Sequence, residues 1–123
     1  MTSILLVDDS ATILMSMSSI LGRAGYQVEQ AESGEAAMGK LKGGIAPKLI
    51  ITDFNMPGMN GAQLIGEARK LAALRFVPML VLTTESQQSK RDEAKAAGAT
   101  GWLVKPVDPG QLLAVIKQLI PGA

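Results

Sequence analysis

Polar residues of complementary chemistry stand directly behind apolar runs at four places in this chain. Asp8 and Asp9 follow Ile4-Leu5-Leu6-Val7, Asp53 closes Leu49-Ile50-Ile51-Thr52, Thr83 follows Met79-Leu80-Val81-Leu82, and Lys105 follows Trp102-Leu103-Val104. Runs that apolar read as strands buried on both faces, the habit of a parallel sheet, so their C-terminal ends converge on one edge. In open α/β sheets that edge takes the ligand, at the point where strand order reverses. Three carboxylates, a hydroxyl and an ammonium gathered there form a site for a divalent cation and a phosphoryl group.

Each residue has a chemical reading and a plainer one. Adjacent Asp8 and Asp9 repel unless they share a cation, and Mg²⁺ held by Asp9, Asp53 and a backbone carbonyl would resolve the repulsion. The alternative is that the pair caps the first helix with help from Ser10. Asp53 is harder to assign to structure, because a turn or cap is what a structural carboxylate at a sheet edge would serve. As a nucleophile it would attack phosphorus and form an acyl phosphate, provided that cations neutralise the approach of two anions. Lys105 meets that need, or is simply solvated at its strand end. It precedes Pro106, a setting in which a cis peptide bond is tolerated. Thr83 is either a β-former or a donor to a phosphoryl oxygen.

The elements that must position these residues alternate strand and helix five times, the pattern of a parallel sheet covered on both faces. Strand one is residues 4–7. The helix after it carries Ile13, Met17, Ile20, Leu21 and Ala24 at three- and four-residue spacing before Gly25 stops it. A short strand at 27–31 precedes a helix from Ser33 to Leu41, ended by Gly43-Gly44. Helix three is expected over about 62–74, with Leu64, Ile65, Ala68 and Leu71 inward, and strand four opens after Pro78. Helix four, about 87–97, is charged and should be the most exposed. Helix five begins at Asp108-Pro109 and buries Leu112, Leu113, Ile116 and Leu119.

Composition narrows the function. The 123 residues are 47% hydrophobic, enough for one domain with a real core and too short for a second. Twelve basic against eleven acidic side chains give +1, which argues against nucleic acid or an anionic membrane as partner. One Trp, one Tyr and two Phe are too few for base stacking. Without cysteine or histidine there is no thiolate or imidazole site, so any metal is held by oxygen. No apolar run approaches the roughly 20 residues of a membrane-spanning helix and no signal-like segment precedes strand one, so a cytoplasmic, soluble protein is expected.

Four stretches together resemble the receiver domain of bacterial two-component response regulators, over essentially the whole of residues 1–123: Val7-Asp8-Asp9-Ser10, Ile51-Thr52-Asp53-Phe54-Asn55-Met56-Pro57-Gly58-Met59-Asn60-Gly61, Leu82-Thr83-Thr84 and Gly98-Ala99-Thr100-Gly101-Trp102-Leu103-Val104-Lys105-Pro106. The resemblance implies a flavodoxin-like, doubly wound α/β fold with strand order 2-1-3-4-5. It makes Asp53 the phosphoacceptor, Asp9 a direct Mg²⁺ ligand, Asp8 a largely water-mediated one, and Asn55 a ligand through its carbonyl, with Mn²⁺ able to substitute. Thr83 and Lys105 would hold the phosphoryl oxygens. Trp102 would take the aromatic switch position, and the surface of helix four, strand five and helix five would change with phosphorylation.

Thr83-Thr84-Glu85-Ser86-Gln87 with Ala97-Gly98-Ala99-Thr100-Gly101-Trp102 looks most like single-domain chemotaxis regulators of the CheY type, which are monomers phosphorylated by a CheA-type sensor histidine kinase. Asn55 and Glu85 match the pair in rapidly self-dephosphorylating members, which implies a short-lived phosphoryl state. A phosphate sink or a phosphorelay intermediate is the alternative within the family. An aspartate-based phosphohydrolase fits less well, since Asn55 stands where its second aspartate would be. A flavodoxin-like cofactor binder would find Asp8 and Asp9 repelling its phosphate. Asn60 replaces a common acidic residue, Thr84 a common Ala, and Leu14 a frequent Arg. Leu14 and Met15 are expected off the buried stripe of helix one, either as a kinase-docking pair or as ordinary exposed apolar residues.

Overall fold

The computed structural model describes residues 2–84 and 88–121. Strand and helix alternate as β1 (Ser3–Val7), α1 (Ala11–Arg23), β2 (Gln27–Ala31), α2 (Gly34–Lys42), β3 (Leu49–Asp53), α3 (Gly61–Arg69), a 3-10 turn (Ala72–Leu74), β4 (Met79–Thr83), α4 (Gln88–Ala97), β5 (Gly101–Val104) and α5 (Pro109–Leu119). The five strands form one sheet, all pairings parallel, in the order β2-β1-β3-β4-β5. This is the doubly wound, flavodoxin-like architecture. No described helix is long and apolar enough to cross a membrane.

The uninterrupted apolar runs have a simple cause. Successive strand residues point to opposite faces, and here both faces are covered. Leu5, Val7, Ile50, Met79 and Val81 join the core beneath α2, α3 and α4, whereas Ile4, Leu6, Leu49, Ile51, Leu80 and Leu82 join the core beneath α1 and α5. Helix starts are set by side chains that accept from backbone N–H groups left open in the first turn. Ser10, Ser33 and Asp108 do this for α1, α2 and α5, with Pro109 at the first position of α5. At α3, Asn60 and Gln63 cap each other's backbone reciprocally. Gly25, with φ of +97°, turns the chain out of α1 where a side chain would be strained.

Three expectations are corrected. Leu14 is 2% exposed and sits in the core with Met17 and Leu21, while Ile13 and Ile20 are half-buried and Ala24 is exposed. The buried stripe is therefore centred on residues 14, 17 and 21, rotated from the one expected, and Leu14 cannot be half of an exposed docking pair. Met15, 74% exposed, is left alone on the outer face, which is ordinary for a single apolar residue. On α5, Leu112 and Ile116 are buried, but Leu113 and Leu119 are only half-buried. Helix α3 ends at Arg69 rather than near residue 74, because Leu71 is extended and the chain re-enters a 3-10 turn that still directs Leu74 inward.

The break after α3 is stapled by Arg69. Its Nη1 donates to the carbonyls of Leu74 (2.9 Å), Arg75 (3.2 Å) and Val77 (2.6 Å), and its Nη2 to that of Gly98 (2.8 Å). Burial lowers the guanidinium's pKa, yet it stays charged throughout the accessible range. Arg69→Ala would leave several carbonyls without their charged donor, and we expect a loss of about 2 kcal/mol in urea denaturation, with Arg69→Lys recovering only part of it.

Candidate functional site

β1 lies between β2 and β3, so the connections leave it in opposite directions and a crevice opens above the ends of β1 and β3. Registers align the ends: Val7 is opposite Thr52, Asp53 opposite Leu82, and Thr83 opposite Val104. One residue further, Asp8 and Lys105 emerge at the same edge. Asp8 and Asp53 are 2% and 7% exposed and Thr83 is fully buried, whereas Asp9 is exposed. The carboxylates of Asp8, Asp9 and Asp53 bring one oxygen each within 4.8 Å of one another. The Lys105 ammonium donates to Asp8 Oδ2 at 2.9 Å and stands 3.3 Å from Asp53 Oδ1.

Backbone bonds fix these side chains. On either side of Asp53, the Thr52 hydroxyl donates to the Asp53 carbonyl (3.0 Å) and the Phe54 N–H to the Leu82 carbonyl (2.8 Å). The Lys105 N–H donates to the Thr83 carbonyl at 2.7 Å, and the Lys105-Pro106 peptide is cis. Asp8 Oδ1 accepts from the N–H of Ser10, the N-cap of α1 (2.9 Å), while Oδ2 accepts from Lys105. Asn55 donates from its side-chain amide to the Thr83 hydroxyl at 3.1 Å, a contact that the sequence did not reveal.

Burial, reinforced by the charges of Asp8 and Asp9, raises the Asp53 pKa above the usual carboxylate value against the pull of Lys105. For Lys105, burial works to lower the pKa, but the hydrogen bonds and charges of Asp8 and Asp53 outweigh it and hold the ammonium protonated above its ordinary value. Among the described residues, one cation thus stands among three carboxylates. The donor set suits a hard divalent ion: it is all oxygen, close enough to converge, and under-neutralised by Lys105 alone.

Around Asp53 the next ring of residues is aromatic and basic. Trp102 is half-buried, with its ring centroid 6.2 Å from that of Phe54 at a tilt of 54°. From α4, the Lys90 ammonium lies 5.0 Å from the Phe54 centroid and the Arg91 guanidinium 5.7 Å from that of Trp102. The indole Nε1 of Trp102 is buried without a hydrogen-bond partner among the described residues. Only the charge of helix four was legible beforehand, not its stacking on two rings. Glu85 lies outside the described residues. A further unforeseen contact is that of Glu35, which accepts from the Met59 N–H (3.3 Å) in the loop after Asp53.

Known proteins resemble this chain in sequence and fold. The profile of the response regulator receiver domain matches residues 4–117. Chemotaxis protein CheY1 of Helicobacter pylori is 37% identical over 107 residues, 86% of each chain. Protein PilH of Pseudomonas aeruginosa is 34% identical over 122 residues, 99% of this chain and 100% of that one. Among solved structures, chemotaxis protein CheY4 of Vibrio cholerae superposes with a TM-score of 0.93 at 42% identity, covering 98% of this chain and 99% of that one.

Proposed function

The chain belongs to the response regulator receiver domain family, and we propose that it is a phosphorylation-operated switch whose acceptor is Asp53. Receivers of this family are signalling switches of two-component systems that work with histidine kinases and downstream targets. The observation that carries the assignment is the single ammonium of Lys105 set between Asp8 and Asp53 at the sheet edge, with Thr83 beside them. In this reading an Asp53 carboxylate oxygen bonds to phosphorus while the bond from phosphorus to its donor breaks, the donor leaving with the electron pair and taking up a proton. Lys105 and the Thr83 hydroxyl then hold the new phosphoryl oxygens.

Receiver domains bind Mg²⁺ at an acidic pocket, and here Asp9, Asp53 and the Asn55 carbonyl would hold the ion, with Asp8 through water. When bound it supplies charge neutralisation for the two anions that must meet. Trp102 and the face of α4, β5 and α5 would carry the output. The likeness to the chemotaxis proteins CheY1 and CheY4 favours a chemotaxis role, with a CheA-type kinase as donor, over a phosphate sink or relay intermediate.

The test is intact mass after incubation with phosphoramidate or acetyl phosphate. We expect the gain of one phosphoryl group in Mg²⁺, none in excess chelator, and none in Asp53→Ala under either condition. With Asn55 and Glu85 as the tuning pair, the phosphoryl group should be lost within minutes on the isolated protein, as followed by mass after the donor is removed. Folded protein that takes no phosphoryl group under any condition would overturn the assignment of Asp53, Thr83 and Lys105.

A further inference from the structure

At the sheet edge opposite Asp53 lies a cavity of about 620 Å³ that phosphoryl chemistry does not use. Its walls come from residues placed just before strands, Thr2, Lys48 and Pro78, from the 3-10 turn, and from the end of α5 at Leu119 and Ile120. On its rim stands Phe76, 89% exposed, the most exposed large apolar side chain among the described residues. An aromatic ring left in water beside a concave apolar wall is a common anchor of recognition surfaces.

Charge selects the occupant. Lys48 lines the cavity and Arg75 precedes Phe76; both are exposed, and neither has a carboxylate partner among the described residues, whose ion pairs are those of Lys40, Lys70 and Lys105. Among the described residues, those lining the cavity include no acidic one. A second copy docked symmetrically would bring the same two cations from each protomer into one interface with no carboxylate from the groove lining to offset them, which disfavours self-association. An anionic bilayer would gain only about 1 kcal/mol from each of the two cations and cannot enter a concave wall. We propose that this groove docks a protein segment in which acidic residues flank an aliphatic or aromatic side chain, the side chain entering beside Phe76 and the carboxylates meeting Lys48 and Arg75. Because the groove lies at the opposite end of the strands from Asp53, it engages that segment in both phosphorylation states.

The experiment is a titration of the isotope-labelled protein, followed by backbone amide NMR, with a soluble 12-residue peptide of Glu, Leu and Phe. A peptide with Lys in place of Glu is the control. We expect saturable shifts confined to residues 48, 72–77, 119 and 120 with the acidic peptide alone, equal in the presence and absence of phosphoryl donor with Mg²⁺. Phe76→Ser, and separately Lys48→Glu with Arg75→Glu, should weaken the acidic peptide about tenfold or more while leaving phosphoryl uptake at Asp53 intact. Equal shifts with the basic peptide would overturn the proposal. So would no shifts at all, concentration-dependent dimerisation through Phe76 by sedimentation, or binding to phosphatidylglycerol vesicles without peptide binding.

Discussion

Lys105→Ala is expected to destabilise the metal-free protein by about 2–4 kcal/mol, because it removes one member of a buried charge cluster and leaves the others uncompensated. The Lys105 side chain is 14% exposed and its partners Asp8 and Asp53 only 3% and 9%, so water screens the remaining carboxylates poorly. The raised pKa of Lys105 gives the pH dependence. Its contribution is fully present below the ordinary value of 10.5 and is lost as pH rises through the higher folded-state value. Across neutral pH the deficit should therefore stay constant apart from carboxylate protonation in acid. Urea denaturation in chelator and in millimolar Mg²⁺ checks the cause, since a divalent ion bound to the native state recovers stability by mass action. A deficit unchanged by Mg²⁺ would show that packing of the lysine stem, not its charge, was lost.

Gly61→Ala should be as damaging, for a reason that involves no charge. A Cβ at position 61 would lie 2.5 Å from the Asp53 carbonyl oxygen and 2.9 Å from the Phe54 Cα, both backbone atoms with no rotamer to yield. The Gly61 N–H donates to the Phe54 carbonyl at 2.9 Å, so the start of α3 is drawn tightly against the strand end that carries the nucleophile. We expect a loss of about 2–4 kcal/mol from overpacking, and phosphoryl uptake slowed at least tenfold in whatever protein remains folded, because the Asp53 backbone must move. At Gly66, further along the same helix, a methyl group would meet nothing within 4 Å, and Gly66→Ala should instead gain about 0.5–1 kcal/mol from helix propensity. Thermal melts of the two variants side by side separate close approach from conformational entropy.

The inner strands β1, β3 and β4 and their polar ends were legible because both faces of the sheet are covered there, which writes each of them as a solid apolar block with its functional residue at the end. Helix caps were legible too, since Ser33 and Asp108 act within their own turns. The stripe of α1 was not. Ile13, Leu14, Met15, Met17, Ile20 and Leu21 offer two overlapping stripes, and only docking against the sheet and α5 chooses the one centred on Leu14. The Asn55 amide on Thr83, Glu35 on the Met59 N–H, and Lys90 and Arg91 over Phe54 and Trp102 each join elements far apart in the chain, and no local pattern announces them. Arg69 belongs with these, for its carbonyl partners include one 29 residues away at Gly98.

The tilted contact of Phe54 and Trp102 has an optical consequence. The chain carries one tryptophan, and that ring touches both the residue bonded to Asp53 and a cation on α4. Its emission is therefore a single-fluorophore signal from the core of the site, free of background from other indoles. Metal titration, phosphoryl turnover and unfolding can all be followed in one unlabelled cuvette.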